Sequence, residues 1–207
     1  MSPPEGSGRG RPRDESREQA ILEAALELLV EVGYERMSMV AVANRARASK
    51  ATIYRRWSCK DAMVVDALRR RAPAEHVPAD TGSLRDDLLI EVGLMACATM
   101  EVGGGLLMGV LRAASESPRL AEVIQDHMVQ QKAALCGCAL QRAAARGEIP
   151  ADLDPVPLAE AILSMILTRQ LLGVGPLDEQ FVAHVVDDVA LPLITGLASR
   201  LPSPSNV

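Results

Sequence analysis

Residues 21–68 read ILEAALELLVEVGYERMSMVAVANRARASKATIYRRWSCKDAMVVDAL, and the spacing of their apolar side chains decides the fold. Ile21, Leu22, Ala25, Leu28, Leu29 and Val32 recur at helical spacing. Ser16 with Gln19 offers a capping box ahead of them, and Gly33 ends the run. Ser38 can cap a short second helix with Met39, Val42, Ala43 and Ala46 inward, and Ser49 can cap a third, Lys50 to Arg56. Ser58, with Asp61 three positions on, can open a fourth that carries Met63, Val64, Ala67 and Leu68 and ends before Pro73. Two short helices joined by a tight turn, the second rich in Ser, Lys, Thr, Tyr and Arg, have the layout of a helix-turn-helix. Ser, Thr and Lys near the start of that second helix can reach base edges and phosphates, and the helix dipole there favours an anion.

Outward from this stretch the chain reads as all-α. Its 207 residues are 48% hydrophobic, ample for a buried core, but only 2% aromatic. The four aromatics are Tyr34, Tyr54, Trp57 and Phe181, too few for the strands of a sandwich or barrel. Residues 73–82, polar and proline-containing, form the best domain boundary. Beyond them the sequence predicts helices over Ser83 to Met100, Leu106 to Ala114 after the break at Gly103, Gly104 and Gly105, and Pro118 to Arg146 closed by Gly147. Two more are predicted, from Asp154 and Pro155 through Leu172, stopped by Gly173, and from Asp178 to about Ser199 with a kink at Pro192. The expected organisation is a flexible basic arm over 1–15, a helix-turn-helix domain over 16–72, the linker, a helical effector-binding and dimerisation domain over 83–201, and a tail over 202–207.

Asp, Glu or Arg interrupts every apolar run approaching the roughly 20 residues that span a bilayer, and Met1 to Arg13 lacks a secretory h-region. A cytoplasmic protein without a membrane partner is expected. Cys59, Cys97, Cys136 and Cys138 show no zinc-ligand spacing and read as reduced packing residues, so neither metal nor cofactor is expected. His76, His127 and His184 accompany no nucleophile motif, and no HExxH, GxSxG or phosphate-binding glycine loop is present, which disfavours an enzyme.

The net charge of −5 hides an asymmetry. Residues 1–72 carry 14 Lys and Arg against 10 Asp and Glu, whereas residues 73–207 carry 8 against 17. Between Arg36 and Lys60 stand Arg36, Arg45, Arg47, Lys50, Arg55, Arg56 and Lys60 with no acid among them. A patch of this kind neutralises phosphates and releases counterions, the sequence-independent source of nucleic-acid affinity. The competing reading is a solvated charged face.

The quoted stretch resembles the N-terminal domain of TetR-family transcriptional regulators. The matching elements are Ala-x-x-Leu before Gly33-Tyr34, Ser38 opening the second helix, Ala43-x-x-Ala46, Ser49-Lys50-x-Thr52-Ile53-Tyr54, and Trp57-x-x-Lys60. The resemblance implies phosphate contacts for Tyr54 and Lys60, approach to major-groove bases by Ala48, Ser49, Lys50 and Thr52, and core positions for Tyr34 and Trp57. Ser38, Arg47 and Arg55 complete the candidate DNA-binding set. Arg47 stands where the family usually has Gly, and it either adds a contact or merely tolerates the turn. Arg9-Gly10-Arg11-Pro12-Arg13 resembles an AT-hook core, whose Arg9, Arg11 and Arg13 would enter a narrow minor groove.

The same resemblance implies a homodimer on an inverted-repeat operator in double-stranded DNA, released by a small-molecule effector. The last two helices would pair with their copies, and their apolar faces offer Ile162, Ile166, Phe181, Val185, Val189 and Leu193. One buried monomer core is the alternative. Candidate effector-lining residues are Met95, Cys97, Met100, Met108, Leu111, Met128, Leu135 and Met165, with Arg112, His127, Gln131 and Arg169 as polar partners. An aliphatic lining of this kind suits an apolar, flexible effector, because Phe181 alone cannot build an aromatic cage. A helical adaptor without an operator, and coactivation in place of repression, are the remaining alternatives.

Overall fold

The computed structural model describes residues 11–71, 77–125 and 131–200, with side chains from Glu15 onward except at 71, 131 and 132. Among the described residues the regular structure is helical throughout. The elements are α1 (Arg11–Arg36), α2 (Met39–Arg45), α3 (Lys50–Arg56), α4 (Lys60–Arg71), α5 (Leu84–Val102), α6 (Gly104–Glu116), α7 (Pro118–Gln125), α8 (Gln131–Ala145), α9 (Val156–Leu172), α10 (Glu179–His184) and α11 (Leu191–Ala198). Two compact units result, one of residues 1–72 with 108–123 and the other of 73–107 with 124–207. The first division falls between 72 and 73, and a later segment, 108–123, groups with the N-terminal helices.

In the N-terminal unit, Ile21, Leu22, Ala25 and Leu29 of α1 are buried, as are Val42 and Ala43 of α2, Ile53 of α3 and Met63, Val64 and Ala67 of α4. Gly33 breaks α1 with a φ of 78° and ψ of 166°, as its position predicts. Gly109 lies so close to α1 that a Cβ there would meet the Leu29 carbonyl oxygen at 3.3 Å. Two expected starts are corrected. Helix α1 begins at Arg11, ahead of Ser16, so Ser16 sits inside it and residues 11–15 of the expected arm are helical. At α4 the Met63 amide bonds to the Cys59 carbonyl at 3.3 Å, placing Cys59 at the cap position expected of Ser58.

The larger unit has a core built from α5, α8, α9 and the C-terminal helices, centred on Leu88, Val92, Met95, Cys136, Leu158, Ile162, Ile166, Phe181, Val185 and Val186. Ser83 and Asp178, at which two of the expected helices begin, cap them by accepting from the amides of Asp86 and Phe181. Gly103 alone, with φ 77°, forms the break after α5, because Gly104 and Gly105 already belong to α6. The expected kink near Pro192 takes the form of a π-helical segment, Val185–Ala190, between α10 and α11. A proline within a helix cannot donate to the carbonyl four residues back, and a wider turn just before it absorbs the mismatch.

Two buried carboxylates fasten the start of this unit, a feature with no counterpart among the sequence expectations. Asp87 Oδ1 accepts from the Thr81 amide and hydroxyl, both at 2.7 Å. Glu91 accepts from the Ala79 amide at 2.9 Å, while the Arg142 guanidinium donates to the Ala79 carbonyl. Arg146 lies 3.5 Å from Asp87 Oδ2 and also pairs with Glu148, whose other oxygen accepts from the Leu84 amide at 3.0 Å. Burial works to raise the Asp87 carboxyl, but the Thr81 hydrogen bonds and the arginine charges outweigh it and hold the group below its ordinary value.

Candidate nucleic-acid interface

The turn between α2 and α3 is built by its own backbone. The Arg47 amide bonds to the Asn44 carbonyl at 3.3 Å and the Ala48 amide to the Ala43 carbonyl at 2.9 Å, the crossed pair of a Schellman ending. Its left-handed residue is Arg47, with φ 49°, the only non-glycine with positive φ among the described residues. An arginine therefore adopts the backbone conformation that glycine adopts most easily. Helix α8 ends in the same motif with Gly147 at the equivalent place, its amide bonding to Ala144 and that of Glu148 to Ala143.

Serines start both helices as expected. Ser38 accepts from the Ala41 amide at 3.1 Å, and Ser49 from the Thr52 amide at 3.1 Å while also bonding the Thr52 hydroxyl at 2.8 Å. With Ile53 buried and Trp57 buried just after the helix, α3 turns Lys50, Ala51, Tyr54 and Arg55 outward. Tyr54 is 53% exposed, unusual for a large ring and suited to a flat partner.

The basic stretch separates into two populations. Arg45 is held by Glu27 at 3.1 Å and by Glu31 at 2.6 Å, pinning α2 to α1. Its hydrogen bond and charge keep the Glu31 carboxyl below the usual range. Arg56 pairs with Glu18 at 2.9 Å. Lys60, expected on phosphate, turns inward: its ammonium donates to the Tyr34 carbonyl at 2.8 Å and stands 4.0 Å from the Tyr34 ring centroid. Among the described residues, Arg47, Lys50 and Arg55 are exposed and pair with no carboxylate. They leave a cationic strip along the turn and α3. Arg9 lies outside the described residues, as do the side chains of Arg11 and Arg13; the backbone at 11–13 is helical and differs from an extended hook.

Tyr34 and Trp57 are buried, as implied, and both carry hydrogen bonds that their packing role did not foretell. The Tyr34 hydroxyl donates to Asp61, whose second oxygen accepts from Ser117 at 3.2 Å, and Trp57 Nε1 donates to Asp66 at 2.9 Å. Burial, then the Asp61 carboxylate, push the Tyr34 phenol well above its ordinary value.

The candidate effector residues are divided between the two units. Met95 is fully buried, and Leu135 and Met165 pack on the same core of the larger unit. Cys97 and Met100 are exposed on α5. Met108, Leu111 and Arg112 belong to the N-terminal unit, where Arg112 pairs with Glu116 at 3.0 Å. Arg169 covers the Phe181 ring at 4.3 Å and donates to the Pro176 carbonyl at 2.9 Å. His127 and Met128 lie outside the described residues, as does the Gln131 side chain.

The expected dimer residues need correction also. Ile162, Ile166, Phe181 and Val185 are buried within the chain's own core, and Leu193 packs against it. Val189 is half-buried. The outward faces are instead Ser164, Thr168 and Leu172 of α9 and Pro192, Thr195, Gly196 and Ser199 beside α11.

Comparison with known proteins agrees with this geometry. The family described as bacterial regulatory proteins, tetR family, matches residues 21–67, and the tetracyclin repressor-like C-terminal domain matches residues 78–189. The chain belongs to the TetR family. It is accordingly a transcriptional regulator that binds DNA through its helix-turn-helix. A TetR relative from Mycobacteroides abscessus, described as a DNA-binding transcriptional repressor, is 37% identical over 88% of this chain and 96% of its own length. An uncharacterised helix-turn-helix regulator of Mycobacterium tuberculosis is 38% identical over 89% and 93%. Among solved structures, a TetR-family transcription regulator superposes with a TM-score of 0.57 at 27% identity, covering 84% of this chain and 97% of that one. A flavonoid-responsive regulator superposes with a TM-score of 0.63 at 22% identity, covering 90% and 100%, a likeness of fold alone.

Proposed function

We propose that this TetR-family protein is a cytoplasmic repressor that binds an inverted-repeat operator as a homodimer and is released by an apolar small molecule. The observation that carries the reading is the strip of Arg47, Lys50 and Arg55, none paired with a carboxylate, beside exposed Tyr54, whereas Arg56 and the neighbouring Arg45 and Lys60 are occupied within the protein. Lys50 and Tyr54 project from α3 toward the groove, and Ser38, Ala48, Ser49 and Thr52 set the approach of the backbone. The repressor described in Mycobacteroides abscessus supports repression over activation.

The homodimer reading rests on the outward faces of α9 and α11, where Ser164, Thr168 and Leu172 and Pro192, Thr195 and Gly196 offer small or apolar exposed residues. The hydroxyls of Ser164, Thr195 and Ser199 donate to carbonyls of their own helices, which leaves these faces able to enter an apolar interface without unmet hydrogen bonds. The effector reading rests on Met95, Leu135 and Met165, flexible or aliphatic side chains of the larger core that can part for an apolar guest.

DNase footprinting across the intergenic DNA flanking the gene tests the whole reading. The expected result is one protected palindrome, whose protection is lost on adding a lipophilic acid or similar apolar ligand. Uniform protection without a palindrome would favour a non-specific binder.

A further inference from the structure

Five side chains of the N-terminal unit join in one continuous chain of polar contacts. Arg56, the last residue of α3, donates to Glu18 Oε2 of α1 at 2.9 Å. The same oxygen accepts from Arg70 of α4 at 3.0 Å. Arg70 also donates through Nε to Asp66 Oδ1 at 3.3 Å, and Asp66 Oδ2 accepts from Nε1 of Trp57 at 2.9 Å. Arg56 and Trp57 are consecutive, so the backbone closes the chain into a ring. Glu18 is the most enclosed of the charged members, its side chain 12% exposed, and Trp57 is 4% exposed. The guanidinium of Arg70 serves both carboxylates at once with different nitrogens, which a planar fork can do and a point-charge ammonium cannot.

The geometry points to Glu18, Asp66 and Arg70 as positioning residues for the DNA-reading helix: acting through Arg56 and Trp57, they fix the end and the exit of α3 against α1 and α4. The inference rests on the reading of α3 as the helix that enters the groove. Helix α3 has only 7 residues, too few to hold a direction by its own hydrogen bonds. Its start is set by the Ser49 cap, and the ring sets its far end from two sides, through the Arg56 head group and through the indole of Trp57. The ring also occupies Arg56, so the free cations of α3 are those that face outward at 50 and 55. A helix held at both ends presents its base-contacting side chains at one angle, and specific recognition falls off steeply when that angle wanders.

The test is Arg70→Lys in the full-length protein, a change that keeps the net charge and removes the bridge. Trp57 is the single tryptophan of the chain, so its indole N–H gives one resonance that reports the ring directly. Affinities for the operator and for a scrambled duplex of equal length are measured at one salt concentration, at a temperature where circular dichroism shows both proteins folded. Arg70→Lys is expected to shift the indole resonance and to lower the ratio of specific to non-specific affinity about tenfold, the effect of losing one base contact. A purely structural role would lower the melting temperature and leave that ratio unchanged, which overturns the inference. Glu18→Gln, measured in the same way, covers the case in which Arg70→Lys does not fold. A wild-type protein without any operator preference overturns the reading of α3 and this inference with it, whereas a wild-type preference that both variants retain overturns this inference alone.

Discussion

Arg47 combines a left-handed backbone at the α2–α3 turn with an exposed cation that has no carboxylate partner. The left-handed conformation costs a side-chain-bearing residue about 1 kcal/mol or somewhat more, and glycine loses a similar amount through the greater freedom of its unfolded chain. Arg47→Gly is therefore expected to leave the melting temperature nearly unchanged. If the side chain meets phosphate, the slope of log affinity against log salt falls by about 0.9. Titrations at several salt concentrations read that slope, and an unaltered one would reduce Arg47 to a turn former. Lys60 makes the opposite point, since a cation in a basic run was spent inside the domain on a carbonyl and a ring.

At the scale of elements, Ser49→Ala is expected to destabilise the domain by about 1 kcal/mol, read as a lower urea midpoint at unchanged slope, because it removes the cap on the Thr52 amide. Caps and stops were largely legible in the sequence: Ser38, Ser49, Ser83, Asp178, Gly33, Gly147 and Gly173 all act where their types predict, since each satisfies local backbone groups within a few residues. What stayed hidden depends on distant partners. Ser16 looked like a cap because nothing local reveals that α1 continues to Arg11. The apolar faces of α9 and of the C-terminal helices were visible as stripes, but periodicity does not say whether a stripe meets its own chain or another, and Ile162 and Val185 proved to be core. The four-residue spacing of Asp66 and Arg70 was a readable sign of the ring around Trp57, whereas the reach of Glu18 to Arg56, 38 positions away, was not.

Two further outcomes belong to the whole molecule. Asp87 is fully buried and its carboxyl is held below the ordinary value of 3.8. Its contribution to stability is thus complete above that pH and is lost as the pH falls through the lower, folded value. Asp87→Asn is expected to flatten the decline in melting temperature below about pH 4, and an equally steep decline in the variant would assign it to other carboxylates. For assembly, Thr168→Arg on the outward face of α9 is expected to give a folded monomer by sedimentation. Ile162→Arg, which places an unpaired charge in the core at a cost of several kcal/mol, is expected to unfold the larger unit. A Thr168→Arg protein that remained dimeric would move the interface elsewhere.

The helical run from Glu179 to Ala198 is 20 residues long and matches a membrane span in length and composition. At its middle stand Asp187, paired with Arg85 at 2.7 Å, and Asp188, bonded to His184 at 2.7 Å. An aspartate at the centre of a span opposes insertion by about 3 kcal/mol, and two adjacent ones by roughly twice that. The two acids thus weigh against a bilayer setting for this run, and Arg85 and His184 meet their charge within the folded unit.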